Sequence, residues 1–216
     1  MKRKVFLVDD HPLVREWLAS LVNQQADLVI CGEAESAQQA LGQIEASGAD
    51  VIIVDITLAQ GSGLELIKDL RLIYPHGVVI VLSMHEESLY AERALRAGAR
   101  GYVMKKESTK KILVAIRQVL DGKLYVSDKF AATITEKFVG GKNQGGSPIE
   151  GLSDRELQVF TMIGQGIETR QIAESLHISI KTVQVYCARI KEKLNLTNAT
   201  ELIREAIRWY EASKTG

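Results

Sequence analysis

The sequence predicts an α/β domain followed by a small all-α domain, and three observations carry that expectation. Five short apolar runs recur over the first 120 or so residues, with stretches of helical length between them. Residues 152–216 show helical patterns and no comparable strand pattern. Between the two lies a polar, glycine-rich stretch with the composition of a flexible linker.

The apolar runs are Val5–Val8, Leu28–Cys31, Val51–Val54, Val78–Leu82 and Gly101–Met104. They do not alternate with polar residues, as expected for parallel strands covered on both faces. The clearest intervening helix lies over 108–121, where Ile112, Ala115, Ile116, Val119 and Leu120 fall at i, i+3, i+4, i+7 and i+8. Five such βα units predict a doubly wound, flavodoxin-like sheet with strand order 2-1-3-4-5. We assign residues 1–121 to this domain. Residues 122–151 are expected to be a linker containing Gly140-Gly141 and Gly145-Gly146, with one further helix over 128–139.

The all-α domain, 152–216, begins with Ser153-Asp-Arg-Glu156, a capping box that starts a helix running to about Gln165. A short helix over about 170–176 is followed by a turn at His177–Ser179. Ser179 then caps a longer helix over 180–194, and a final amphipathic helix covers about 199–212. Four helices with a tight turn between the second and third are the pattern of a helix-turn-helix domain.

Composition excludes several classes. Hydrophobic residues make up 46% and charged residues 25% of the 216, which is ordinary for a soluble globular protein. No apolar run approaches the roughly 18 residues of a membrane helix. The N-terminus lacks the length and cleavage site of a signal peptide, so the expected location is the cytoplasm. Cys31 and Cys187 show neither pairing nor metal-ligand spacing. The net charge is zero, so any nucleic-acid surface must rest on local placement of charge.

The predicted strand order brings a set of charged groups together. Asp9 and Asp10 end the first strand and Asp55 ends the third, its neighbour, at the carboxyl edge where such sheets bind ligands. Three carboxylates so close repel one another without a cation, and an all-oxygen set suits Mg²⁺. With a metal present, one carboxylate can act as a nucleophile towards a phosphoryl group. Ser83, ending the fourth strand, can donate its hydroxyl to a phosphoryl oxygen, and Lys105, ending the fifth, supplies a cation. Each residue also has a plainer reading. Asp10 before His11-Pro12 suits a helix cap, Asp55 suits a turn, and Lys105-Lys106 suits a solvated pair.

In this order, Val-Asp9-Asp10-His, Val-Asp55-Ile, Leu-Ser83-Met and Gly-Tyr102-Val-Met-Lys105 resemble a response-regulator receiver domain. That resemblance implies that Asp55 accepts phosphate from a histidine kinase. It implies that Asp10, Asp55 and the backbone carbonyl of Thr57 ligand Mg²⁺, with Asp9 acting through water or a second layer. It further implies that Ser83 and Tyr102 form a switch pair and that Lys105 contacts the phosphate. Ala59 departs from the family, which usually has proline four residues after the phosphoacceptor, whereas Gly63 matches the expected glycine.

The longer helix of the second domain has an apolar stripe, Val183, Cys187, Ile190 and Leu194, suited to the core. Its opposite face carries Lys181, Val185, Ala188 and Arg189, with Gln184 and Lys191 flanking. Such a face suits the major groove. Gln184 can read adenine, and Val185 or Ala188 can meet a thymine methyl. Lys181, Arg189, Lys191 and Lys193 suit phosphates. The plainer alternative is a solvated amphipathic helix.

Leu152-Ser-Asp-Arg-Glu156, Ile172-Ala173, Ile178-Ser179, Lys181-Thr182-Val183 and Lys193-Leu194 resemble the LuxR-type helix-turn-helix of the NarL/FixJ regulators, which adds Thr182 to the DNA-contacting set. Tyr186, Glu168-Thr169 and Asn198 depart from its common residues. The last helix is apolar on more than one side. Leu202, Ile203, Ala206 and Trp209 are candidates for a dimer surface, with Trp209 equally suited to core filling. The resemblance implies a regulator of double-stranded promoter DNA that is a homodimer when active and has no membrane partner. Two rivals stand against it. A Mg²⁺-dependent phosphatase would need an acid where Thr57 stands and a capping insertion; a regulator gated by another signal would not need Asp55.

Overall fold

The structure is a computed structural model that describes residues 1–58, 61–107, 109–139 and 148–215. It divides into two compact units, Met1–Glu136 and Lys137–Gly216. Ala59 and the run from Gly140 to Ser147 lie outside the described residues.

The first unit is a five-stranded parallel sheet in the order β2-β1-β3-β4-β5. The strands are β1 (Arg3–Val8), β2 (Leu28–Ala34), β3 (Val51–Val54), β4 (Val78–Ser83) and β5 (Gly101–Met104). They alternate with helices α1 (Pro12–Asn23), α2 (Ala37–Ser47), α3 (Gly63–Ile73), α4 (Glu87–Ala97) and α5 (Thr109–Leu120). Val5, Phe6, Leu7 and Val8 are all buried, so both faces of β1 are covered. On one face Val5, Leu7, Ile53, Ile80, Leu82 and Val103 pack with Leu18 and Val22 of α1 and Ile112, Ile116 and Val119 of α5. The amphipathic stripe read over 108–121 is therefore the stripe that covers this face.

The N-cap of α1 is His11 and not Asp10, with Pro12 in the first turn, where its missing N–H costs nothing. Asp9 supplies a side-chain bond at this end: its Oδ1 accepts from His11 N at 2.9 Å. That frees Asp10 from the capping role which sequence alone allowed it.

The segment expected as a linker begins by attaching to the first unit. Tyr125 forms a parallel bridge with Gly101, its N donating to Arg100 O at 2.9 Å and its O accepting from Tyr102 N at 2.8 Å. It lies against β5 at the open edge of the sheet. A sixth helix, α6 (Asp128–Val139), follows, matching the helix expected over 128–139, and Phe130 is buried. Backbone pairing of this kind leaves little trace in composition, which is why the stretch from 122 reads as linker.

The second unit contains α7 (Asp154–Gly164), α8 (Thr169–Ser175), α9 (Ile180–Lys193) and α10 (Ala199–Thr215). Ser153 and Glu156 form the expected capping box, with Ser153 N donating to Glu156 Oε2 at 2.7 Å. Ser179 caps α9 by accepting from Thr182 N at 3.0 Å. Val183 and Ile190 are buried with Leu157, Phe160, Ile172, Leu202 and Ala206, so the apolar stripe of α9 faces the core. Where α7 meets α10, a Cβ on Gly164 would lie 2.5 Å from Ala206 O, so the two helices approach to backbone contact there.

Candidate phosphoacceptor site and DNA-facing helix

Main-chain bonds carry the site residues outward from the strand ends. Asp9 N donates to Ala34 O at 3.1 Å, Asp55 N to Val8 O at 2.8 Å, and Lys105 N to Ser83 O at 2.8 Å. The ladders therefore continue one residue past β1, β3 and β5, and fix where each side chain starts. Asp9 is 3% and Asp55 4% exposed, and Ser83 is fully buried. Lys105 Nζ reaches between the two acids, 2.6 Å from Asp9 Oδ2 and 2.7 Å from Asp55 Oδ2. One oxygen from each of Asp9, Asp10 and Asp55, with a His11 ring nitrogen, lies within 4.8 Å of the others.

His11 is a member of this cluster that sequence analysis passed over. Its Nδ1 hydrogen-bonds Asp9 Oδ1 at 3.2 Å and lies 2.7 Å from Asp10 Oδ1, off the line of a hydrogen bond. Asp10 Oδ1 is consequently buried without a hydrogen-bond partner among the described residues. A buried acceptor left bare is costly, and a hard divalent cation would satisfy it.

Burial is the main force pushing the Asp55 carboxyl up to about 6; the negative charge of Asp9 adds to it, and Lys105 opposes it. Burial alone would lower the Lys105 ammonium, but Asp55 and Asp9 outweigh it and the net shift is upward. A pH dependence of stability follows. Because the folded-state value of Asp55 lies above the ordinary carboxylate value of 3.8, its contribution to stability is full below that value and is lost as pH rises through about 6. In metal-free buffer, Asp55→Asn is expected to raise Tm at pH 7.5 by several degrees and to change it little near pH 4. Thermal melts at both pH values, with and without Mg²⁺, check this; a Tm difference independent of pH contradicts it.

A second group surrounds Ser83. The Thr57 hydroxyl and His85 Nε2 lie 2.9 Å apart, His85 N donates to Ser83 Oγ at 3.3 Å, and Tyr102 Oη donates to His85 O at 2.9 Å. His85 also stacks on Tyr90, with ring centroids 4.4 Å apart. Burial, with a smaller effect of Lys105, lowers the His85 imidazole to about 4, so it is neutral at physiological pH. Tyr102 is turned inward and 1% exposed. Sequence analysis named Ser83, Thr57 and Tyr102 but missed His85, which ties all three together. Its position two residues past a strand-end serine was the only signal.

On α9, Lys181, Gln184, Val185, Ala188 and Arg189 are exposed together, as the helical wheel requires. Three of the predicted contacts are placed differently. The Thr182 hydroxyl lies 2.8 Å from Ser179 Oγ and belongs to the cap. Lys191 is half-buried. Lys193 is exposed, but its Nζ lies 2.6 Å from Glu156 Oε2 and 3.2 Å from Gly151 O, so it is paired with a buried carboxylate of its own domain. Burial works to raise the Glu156 carboxyl, but the bonds from Lys193 and Ser153 prevail and its net shift is downward.

The predicted dimer residues are also redistributed. Leu202 and Ala206 are buried against α7, and the Trp209 ring lies 5.4 Å from that of Phe160. Only Ile203, at 48% exposure, stays outside, joined by Ile207 at 37% one turn on. The wheel showed two apolar stripes; the close approach at Gly164 decides which one faces inward.

A family model of the response regulator receiver domain matches residues 5–117, and one of bacterial regulatory proteins of the luxR family matches 150–206. The chain belongs to the response regulators. The oxygen regulatory protein NreC of Staphylococcus aureus is 31% identical to this response regulator over 210 residues, 95% of this chain and 97% of its own. A LuxR-family two-component response regulator from Aurantimonas sp. SI85-9A1 is similar at 30% identity with a TM-score of 0.60, covering 64% of this chain and 99% of its own. RcsB from Salmonella enterica serovar Typhimurium, solved on promoter P1flhDC with the phosphomimetic BeF3−, shares the fold at a TM-score of 0.64 and 23% identity, over 95% of this chain and 98% of its own. The response regulator thus joins a receiver domain to a LuxR-type helix-turn-helix domain, the two-part plan of a DNA-binding transcription regulator in a two-component system. No helix among the described residues is long and apolar enough to cross a membrane.

Proposed function

We propose that Asp55 is the phosphoacceptor of this cytoplasmic response regulator, receiving its phosphoryl group from a cognate histidine kinase. The observation that carries this is Lys105 Nζ held 2.7 Å from Asp55 at the strand ends, beside an oxygen of Asp10 that is buried without a hydrogen-bond partner among the described residues. Asp55 attacks the phosphorus of the donor; an oxygen–phosphorus bond forms to its carboxylate as the bond to the leaving group breaks. Asp9, Asp10, Asp55 and the Thr57 carbonyl are the groups that would hold Mg²⁺, with Asp9 in a supporting position. Bound there, Mg²⁺ would offset charge gathering on the phosphoryl oxygens. Lys105 follows the charge from the carboxylate to the phosphoryl group, and Ser83 gives up its bond from His85 N to donate to a phosphoryl oxygen. Movement of Ser83 is felt by Tyr102 through His85, whose main chain bonds both.

The switched receiver favours a homodimer on promoter DNA. Lys181, Gln184, Val185, Ala188 and Arg189 enter the major groove, and Ile203 with Ile207 forms the apolar part of the dimer surface. The protein accepts and hydrolyses its own phosphoryl group and turns over no other substrate. Incubation with a small-molecule phosphodonor and Mg²⁺, followed by mass spectrometry, tests the phosphoacceptor directly. Wild type is expected to gain one phosphoryl group and Asp55→Asn none; equal labelling of both would assign the chemistry elsewhere.

A further inference from the structure

Resting on the assignment of Asp55 as phosphoacceptor, we propose that Glu87 is a latch that couples the state of that site to helix α6, the element leading along the chain into the DNA-binding domain. Glu87 is the first residue of α4 and is only 7% exposed. A buried carboxylate is costly unless it is hydrogen-bonded. Its Oε1 accepts from the main-chain N of Ser127 at 2.8 Å. Ser127 is the residue before α6, and its own hydroxyl accepts from Phe130 N at 3.1 Å in the first turn of that helix. A single carboxylate therefore stands at the N-terminal ends of two helices, α4 and α6, where the partial positive charge of each favours it.

The same segment is tied to the switch residue from the other side. Tyr102 N donates to Tyr125 O at 2.8 Å, while the Tyr102 hydroxyl donates to His85 O, two residues before Glu87. Tyr102 and Glu87 hold the strap 125–130 at two points, and His85 links both points to Ser83 and Thr57. A rearrangement of Ser83 and Tyr102 on phosphorylation must shift at least one tie, so the start of α6 moves with the site. Coupling of this kind needs two ends that respond to one bistable element, and the pair of ties supplies it.

Full-length protein with Mg²⁺ and a small-molecule phosphodonor tests this by three readouts: label on Asp55, hydrogen exchange of amides 127–131, and affinity for a bound promoter fragment. In wild type, labelling is expected to change exchange in this segment and to tighten DNA binding about tenfold or more. Glu87→Ala is expected to take the same label, yet to show exchange insensitive to it and a gain in affinity below about twofold. Glu87→Gln keeps an acceptor oxygen towards Ser127 and is expected to retain most of the gain, which separates loss of the bond from misfolding. Equal gains in wild type and Glu87→Ala, both labelled, would overturn the latch while leaving the phosphoacceptor intact. Failure of wild type to label would overturn both.

Discussion

Gly63→Ala is expected to reduce labelling of Asp55 by about a hundredfold or more. A Cβ at Gly63 would stand 1.9 Å from the Asp55 carbonyl oxygen and 2.8 Å from Ile56 Cα. These neighbours are main chain and cannot rotate away, and Gly63 N is also bound to Ile56 O at 2.9 Å. Either the start of α3 or the end of β3 has to move, and the second choice carries the Asp55 carboxylate with it. Displacing a nucleophile by about 1 Å costs on the order of a hundredfold in rate. Labelling kinetics with a small-molecule phosphodonor, alongside circular dichroism to confirm that the sheet is intact, would check this. A variant that labels within twofold of wild type would show that α3 can shift without disturbing the site.

The second large effect lies in the other unit. Gly164→Val is expected to unfold the helical domain, costing about 3 kcal/mol or more. Its Cβ would meet Ala206 O at 2.5 Å and Tyr210 Cβ at 2.8 Å, so α7 and α10 must separate. Separation exposes Leu202 and Ala206 and breaks the contact of Phe160 with Trp209. Because the two units have separate cores, DNA binding is expected to vanish while Mg²⁺-dependent labelling of Asp55 persists. Parallel loss of both activities would show that the receiver depends on the helical domain for its own stability.

These two glycines illustrate what was legible in the sequence and what was not. Gly63 stood out only through family resemblance, and Gly164 did not stand out at all, because close backbone approach is a property of pairs of elements. The strands and their order followed from unbroken apolar runs, since a parallel sheet buried on both faces has no other way to be written. Asp9, Asp10, Asp55, Ser83 and Lys105 were legible because topology alone gathers strand ends.

Side chains whose partners come from distant loops were not. Lys193 lies near the exposed side of the α9 wheel, yet its Nζ pairs with Glu156 and Gly151, both far back in the chain. The His85 main-chain carbonyl accepts from the Tyr102 hydroxyl, and the Glu87 carboxylate accepts from the main-chain N of Ser127; composition carries no record of either bond. The two stripes of α10 were visible, but the choice between them depends on α7.

Affinity for one promoter fragment, measured on the same protein before and after Mg²⁺-dependent labelling and repeated with Asp55→Asn, tests the central claim most directly. Phosphorylation of wild type is expected to tighten binding about tenfold or more, while Asp55→Asn stays at the unlabelled affinity with or without donor. Equal affinity of labelled and unlabelled wild type would contradict the claim that the acidic site governs the DNA-binding helix.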